Sequence, residues 1–87
     1  MLKPLISVII PVYNGENFLQ RCFATLDAQK YHNLELIFVN NNSTDNSEKM
    51  IEKYCKSRQN AQLLQCEKQG PGAARNKGID FSRGEYI

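Results

Sequence analysis

Residues Leu5-Ile6-Ser7-Val8-Ile9-Ile10 are β-branched and almost continuously apolar. A strand with one wet face alternates apolar and polar residues; a run apolar on both faces belongs inside a parallel sheet with helices above and below. That run constrains the fold strongly, because parallel neighbours need long crossovers, usually helical. The remaining sequence supplies them. From Glu16 to about Gln29, residues Leu19, Cys22, Phe23 and Leu26 fall at i, i+3, i+4 and i+7, one face of a helix. Leu34–Val39 is a second apolar strand. Asp45 and Glu48 form an acid-x-x-Glu capping pattern for a helix with Met50, Ile51, Tyr54 and Cys55 on one side. Ala61–Cys66 is a weaker third strand, Gln69–Gly72 a loop, and Ala73 to about Ser82 a third helix. Glu85-Tyr86-Ile87 opens a fourth strand. Pro11 is expected to end the first strand and Asn14 to cap the helix after it.

The order β-α-β-α-β-α-β predicts the α/β class, a three-layer Rossmann-like parallel sheet with right-handed crossovers. A strand that starts at Gly84-Glu85 needs more than three residues and a following element, so residues 1–87 are expected to be the N-terminal part of a domain that is incomplete at its C-terminal end.

A chain of 87 residues holds at most one small domain. Its net charge of +2 is too small to argue for nucleic acid, and no basic run is interleaved with aromatics. Cys22, Cys55 and Cys66 are an odd number without motif spacing, which predicts free thiols in a reducing compartment. His32 stands alone, so no metal-ligand cluster is read here. The apolar run Leu5–Val12 is too short for a membrane span or a signal peptide. The expectation is a soluble, cytoplasmic chain that would meet a membrane only through sequence outside it.

In an open parallel sheet, ligands bind beyond the carboxyl ends of the strands. The polar residues cluster at those ends. Pro11-Val12-Tyr13-Asn14-Gly15-Glu16 follows the first strand, Asn40-Asn41-Asn42-Ser43-Thr44-Asp45 the second, and Gln69 to Asn76 the third. Each loop suits part of a nucleotide. Tyr13 offers a ring that stacks on a base, or packs under the first helix. Asn40 and Asn41 can read a base edge, since an amide both donates and accepts; alternatively they serve turn chemistry, the reading favoured for Asn42. Gly70 and Gly72 allow close backbone approach to a ligand, and Arg75 in a first helical turn suits either an anion or a neighbouring carboxylate. The run Gly70-Pro71-Gly72-Ala73-Ala74-Arg75 is no dinucleotide fingerprint: it follows the third strand and ends on Arg75. That argues against a nicotinamide oxidoreductase, and no Walker lysine loop or Ser-His-Asp set is present.

Together these residues resemble family 2 glycosyltransferases of the GT-A fold. Ser7 to Glu16, Leu34 to Val39 with the following Asn-Asn-Asn-Ser-Thr-Asp, and Gly70 to Ile79 leading to Gly84-Glu85-Tyr86-Ile87 match in order over nearly the whole chain. The resemblance implies a nucleotide-diphosphate-sugar donor, UDP-sugar foremost. Its nucleotide would be held by Pro11, Tyr13, Glu16, Asn40, Asn41 and Arg75, with Asn41 aligned to the acid that reads uracil. It implies a glycosyltransferase of polysaccharide or cell-surface glycan synthesis, acting on an unidentified acceptor glycan or lipid and using divalent Mn or Mg. The family's Asp-x-Asp motif and catalytic base fall after Ile87. No catalytic residue or metal site is therefore expected within this chain, which alone should be inactive. A non-catalytic nucleotide-binding or interaction module is the alternative. The unfinished sheet edge predicts self-association. Asn41 stands where the family has an acid, so base preference is expected to loosen and Asn41→Asp to tighten uridine-nucleotide binding.

Overall fold

The computed structural model describes the backbone of residues 4–86 and the side chains of residues 4–84. Its elements are β1 (Ile6–Val12), α1 (Glu16–Asp27), β2 (Leu34–Asn40), α2 (Ser47–Lys56), β3 (Ala61–Gln65), α3 (Pro71–Phe81) and β4 (Glu85–Tyr86). Of the fourth strand, Ile87 lies outside the described residues. All pairings are parallel and the strand order is β3-β2-β1-β4. The chain therefore steps outward from β1 to β3 and then returns past β1, which makes the β1 region a topological switch point.

The helices cover both faces of the sheet. Val12, Leu36 and Phe38 pack with Leu19 and Phe23 of α1 and Ile51 and Tyr54 of α2. On the opposite face Ile37 and Val39 pack with Cys66 and Ala74, the latter from α3. This is why β2 reads as an unbroken apolar run: consecutive residues enter different cores. Phe23 stacks on Tyr54 with centroids 4.1 Å apart, and Phe38 meets both rings edge-on at 5.7 Å. At Gly78 a Cβ would sit 2.4 Å from Ile9 Cγ2, so glycine lets α3 lie close to β1.

At the base of the sheet, the buried carboxylate of Glu35 accepts hydrogen bonds from the Ser7 hydroxyl (2.8 Å), the Arg83 backbone N–H (2.9 Å) and Arg83 Nε (2.8 Å). The Ser7 hydroxyl in turn accepts from the Gly84 N–H at 3.1 Å. Burial pushes the Glu35 carboxyl up, but the bonds from Arg83 and Ser7 outweigh it and hold it below its ordinary value. The network ties the start of β4 to β1 and β2.

Three expectations change. Pro11 does not end β1, which runs on to Val12 with Pro11 opposite Val39. β4 pairs only with Ile6 and Ser7, so a missing N–H at Pro11 removes no ladder bond on that side among the described residues. Asn14 is not the cap of α1; Gly15 holds that position, and Asn14 adopts φ +49°. Helix α3 begins at Pro71 rather than Ala73, because proline at the first helical position has a suitable φ and needs no N–H. Arg75 is then the fifth residue of the helix, beyond the first turn where an anion would have been needed to offset its charge. The three cysteines are free, with Cys66 buried and the other two half-buried.

Candidate functional site

A cavity of about 320 Å³ opens at the carboxyl ends of β1 and β2, lined by Pro11, Val12, Tyr13, Asn41, Gln69, Gly70, Pro71 and Ala74. It brings together three of the six residues expected to hold a nucleotide, Pro11, Tyr13 and Asn41, with Gly70, whose backbone was expected to approach a ligand. Tyr13 does not pack under α1; its side chain is exposed, at 63%. A flat ring beside an open cavity is available to stack on a planar ligand.

Asn41 is only 5% exposed. Its Nδ2 donates to the backbone carbonyls of Lys68 (2.8 Å) and Gly70 (3.4 Å). Its neighbours reach across in the same way. Asn40 Nδ2 donates to Gln65 Oε1 at 2.9 Å, and Asn42 Nδ2 to the Glu67 carbonyl at 3.0 Å. Three consecutive amides thus stitch the end of β2 to the segment 65–70. Asn42 adopts φ +60°, the left-handed turn role expected of it. Gly70 caps α3 at φ +108° and ψ 150°, a region only glycine occupies readily. Around Gly72 a Cβ would meet nothing within 4 Å, so no close approach requires glycine there.

Glu16 and Asn40 do not line this cavity. Asn40 is buried, and its Oδ1 accepts from the Ser43 N–H at 3.2 Å while Nδ2 holds Gln65. Glu16 belongs to a reciprocal pair of helix ends. Asp45 Oδ2 accepts from the Glu16 N–H (3.1 Å), Asp45 Oδ1 from the Ser47 N–H (2.9 Å), and Glu16 Oε2 from the Asn46 N–H (3.3 Å). The Asp45–Glu48 capping pattern is replaced: Asn46 is the boundary residue, and Asp45 serves both α1 and α2. Burial raises the Asp45 carboxyl, yet the bonds from Ser47 and Glu16 hold it below its ordinary value. The Ser47 hydroxyl accepts from the Gly15 N–H at 2.8 Å, and Asn14 Oδ1 from the Thr44 N–H at 2.7 Å. Arg75 is exposed on α3, next to the cavity-lining Ala74, with no hydrogen-bond or ion-pair partner among the described residues. The lining role of Gln69 and Ala74 and the carbonyls of Lys68 and Gly70 carried no residue-level signal, since three of these contacts are backbone or apolar.

Among the described residues no three of His, Cys, Asp and Glu gather into a group able to hold a metal ion. The described residues therefore do not fit a divalent cation by themselves. No described helix is long and apolar enough to cross a membrane.

An open parallel α/β sheet with a polar-edged cavity at its switch point defines a class that binds ligands between strand ends. Within that class, a family model described as glycosyl transferase family 2 matches residues 7–87, and the chain belongs to that family. It is 40% identical to the putative glycosyltransferase EpsH of Bacillus subtilis over all of this chain and 25% of that relative. It is 37% identical to glycosyltransferase GlyG of Streptococcus pneumoniae over 99% of this chain and 29% of that protein. The crystal structure of S. aureus TarS superposes with a TM-score of 0.83 at 30% identity, covering 94% of this chain and 26% of that one. TarS has also been solved with UDP-GlcNAc and with UDP. A mannosyltransferase of Pyrobaculum calidifontis, solved with GDP-Man and Mn2+, shares the fold with a TM-score of 0.85 at 22% identity over 97% of this chain and 26% of that one. The chain thus spans about a quarter of the length of these proteins.

Proposed function

We propose that this chain is the donor-nucleotide half of a glycosyltransferase that takes a UDP-sugar and passes the sugar to an acceptor in polysaccharide or cell-surface glycan assembly. The observation that carries it is the cavity formed by Pro11, Tyr13 and Asn41 in a chain 30% identical to TarS, which has been solved with UDP-GlcNAc. Tyr13 stacks on the base, Pro11 walls the cavity, and Asn41 meets the base edge. Arg75, exposed and unpartnered among the described residues, is free to swing onto the donor diphosphate as a bidentate cation. Glu16 and Asn40 act at one remove, by fixing the loops that carry the contacts. A divalent cation would neutralise diphosphate charge as the leaving group departs, and sequence beyond these residues would hold it. Residues 1–87 alone would then bind nucleotide without transferring sugar. The location is cytoplasmic, and the outer edges of β3 and β4, unpaired among the described residues, favour self-association of the isolated chain.

The test is calorimetric titration of the full-length protein with a panel of nucleotide-sugars, with and without Mn²⁺, coupled to a sugar-transfer assay. UDP-sugar binding with transfer supports the proposal. Binding without transfer under every condition assigns a non-catalytic nucleotide module instead, and no binding removes the nucleotide altogether.

A further inference from the structure

A line of side-chain hydrogen bonds runs from the turn after β2, across the end of β3, to helix α2. Asn40 and Gln65 stand opposite each other at the carboxyl ends of β2 and β3. Asn40 Oδ1 accepts from the Ser43 backbone N–H at 3.2 Å, and Asn40 Nδ2 donates to Gln65 Oε1 at 2.9 Å. Gln65 Nε2 then donates to Glu48 Oε1 at 2.5 Å. The two ends of this line have fixed polarity. A backbone N–H only donates and an ionised carboxylate only accepts, whereas each amide between them can be turned over. With a donor at one end and an acceptor at the other, a single orientation of the two amides satisfies every link. Turning either one, or both, sets donor against donor or acceptor against acceptor. Asn40 is only 4% exposed, so a mismatch there would leave a polar group with no water to replace its partner. Asn41 and Asn42 hold the same 65–70 segment through backbone carbonyls. The Asn40 link alone among the three depends on the charge of a side chain on another element.

We infer that Glu48 and Gln65 are positioning residues for the cavity: by fixing the direction of the amide line through Asn40, they hold the 65–70 segment and the turn after β2 in the arrangement that shapes it. This rests on the reading of the cavity as a nucleotide site. Neither residue lines the cavity, but the segments they join do. The 65–70 segment supplies Gln69 and Gly70, and Asn40 leads directly into Asn41. Ser43 carries the tie on to the loop after β1, since its hydroxyl accepts from the Asn14 N–H at 3.0 Å, one residue beyond Tyr13. A donor in place of Glu48 breaks the line. The ammonium introduced by Glu48→Lys can take Gln65 only through Oε1, which turns Nε2 toward the Asn40 amide, or it turns away and leaves Gln65 unheld. Adding Gln65→Glu repairs the line. The second carboxylate accepts from Asn40 Nδ2 on one side and from the ammonium on the other, so Asn40 keeps its orientation. Glu48→Gln also preserves it, because an amide can present its oxygen to Gln65 Nε2.

The experiment compares Glu48→Lys, Gln65→Glu, the double variant and Glu48→Gln in the full-length protein, by UDP titration and by hydrogen exchange at the Ser43 amide. Glu48→Lys is expected to speed Ser43 exchange about fivefold, as the loss of one hydrogen bond implies. It is expected to weaken UDP at least about threefold, since members of one network couple. Gln65→Glu alone sets two carboxylates against each other and acts in the same direction. The double variant and Glu48→Gln are expected to return both readings to within about twofold of the parent. Exchange of the β1 and α1 amides should stay as in the parent throughout, which a general loosening of the fold would not allow. Glu48→Lys without effect on either reading, or no recovery in the double variant, overturns the inference alone. So does a change in Ser43 exchange that leaves UDP affinity untouched. Failure of the parent to bind any nucleotide overturns the nucleotide reading and the positioning role with it.

Discussion

Two polar regions meet at the carboxyl ends of β1 and β2, and they use similar residues to opposite effect. On the side of α1 and α2, Asn14, Glu16, Ser43, Asp45 and Ser47 bond to one another's loops across about thirty residues of sequence, and every contact closes a helix end or a turn. On the side of α3, Asn41 bonds to the loop with only half of its amide, Tyr13 lies exposed, and Arg75 has no described partner. The first region is a clamp, and the second leaves side chains free among the described residues; under the proposed function it is the receptor. Polarity at a strand end therefore does not by itself mark a side chain left free for a ligand; the fold decides which ones are left unpaired. Glu16 illustrates the point, since a carboxylate beside the first loop serves the α2 terminus instead.

The contrast is tested most severely at Ser47. Removing its hydroxyl by Ser47→Ala leaves the Gly15 N–H buried without an acceptor, which should cost about 1–3 kcal/mol of stability. Denaturant unfolding measures that loss, and nucleotide affinity of the folded variant should stay within about twofold of the parent, as a change below about 0.4 kcal/mol implies. A large affinity loss in a fully folded Ser47→Ala would merge the clamp with the receptor.

Tyr13→Ala should behave in the reverse sense. An exposed ring contributes little to folding, so stability should move by no more than about 0.5 kcal/mol. Loss of stacking on a base should weaken nucleotide binding roughly tenfold. Unchanged affinity would mean that the base does not lie on this ring.

The smallest expected effect is a pH dependence of stability, carried by carboxyls away from the cavity. The Asp45, Glu35 and Asp27 carboxyls all lie below their ordinary values in the folded chain, Asp27 through the hydrogen bonds it accepts from Arg58 and Tyr54. A depressed carboxyl binds its proton more weakly when folded than when unfolded, so its stabilisation is complete above the ordinary range of about 3.9–4.3 and is lost as pH falls through the lowered folded value. Unfolding free energies between neutral pH and strong acid should fall in that window, and Asp45→Asn should flatten part of the slope. A slope unchanged by Asp45→Asn would leave Glu35 and Asp27 as the groups responsible.

Much of the fold was legible along the chain. Burial on both faces makes β1 and β2 continuous apolar runs, and burial on one stripe makes α1 and α2 periodic, and both patterns are written in neighbouring residues. The left-handed turn at Asn42 and the placement of Pro11, Tyr13 and Asn41 at strand ends followed from the same local chemistry. The ends of elements were less legible. Pro11 stays within β1, opposite Val39, because no ladder bond among the described residues needs an N–H there, and Asn14 yields the cap to Gly15 because its side chain is drawn to Thr44.

The sequence by itself determined the order and type of the elements, and hence that three polar loops would share one edge of a parallel sheet. Only the tertiary structure decided which of their side chains remain available. A hydrogen-bond partner such as Lys68 for Asn41 lies 27 residues away, and Asn46 for Glu16 lies 30 away, so no local pattern encodes the choice. The chain must first bury its two cores and bring the loops together before each amide and carboxylate can find, or fail to find, its partner.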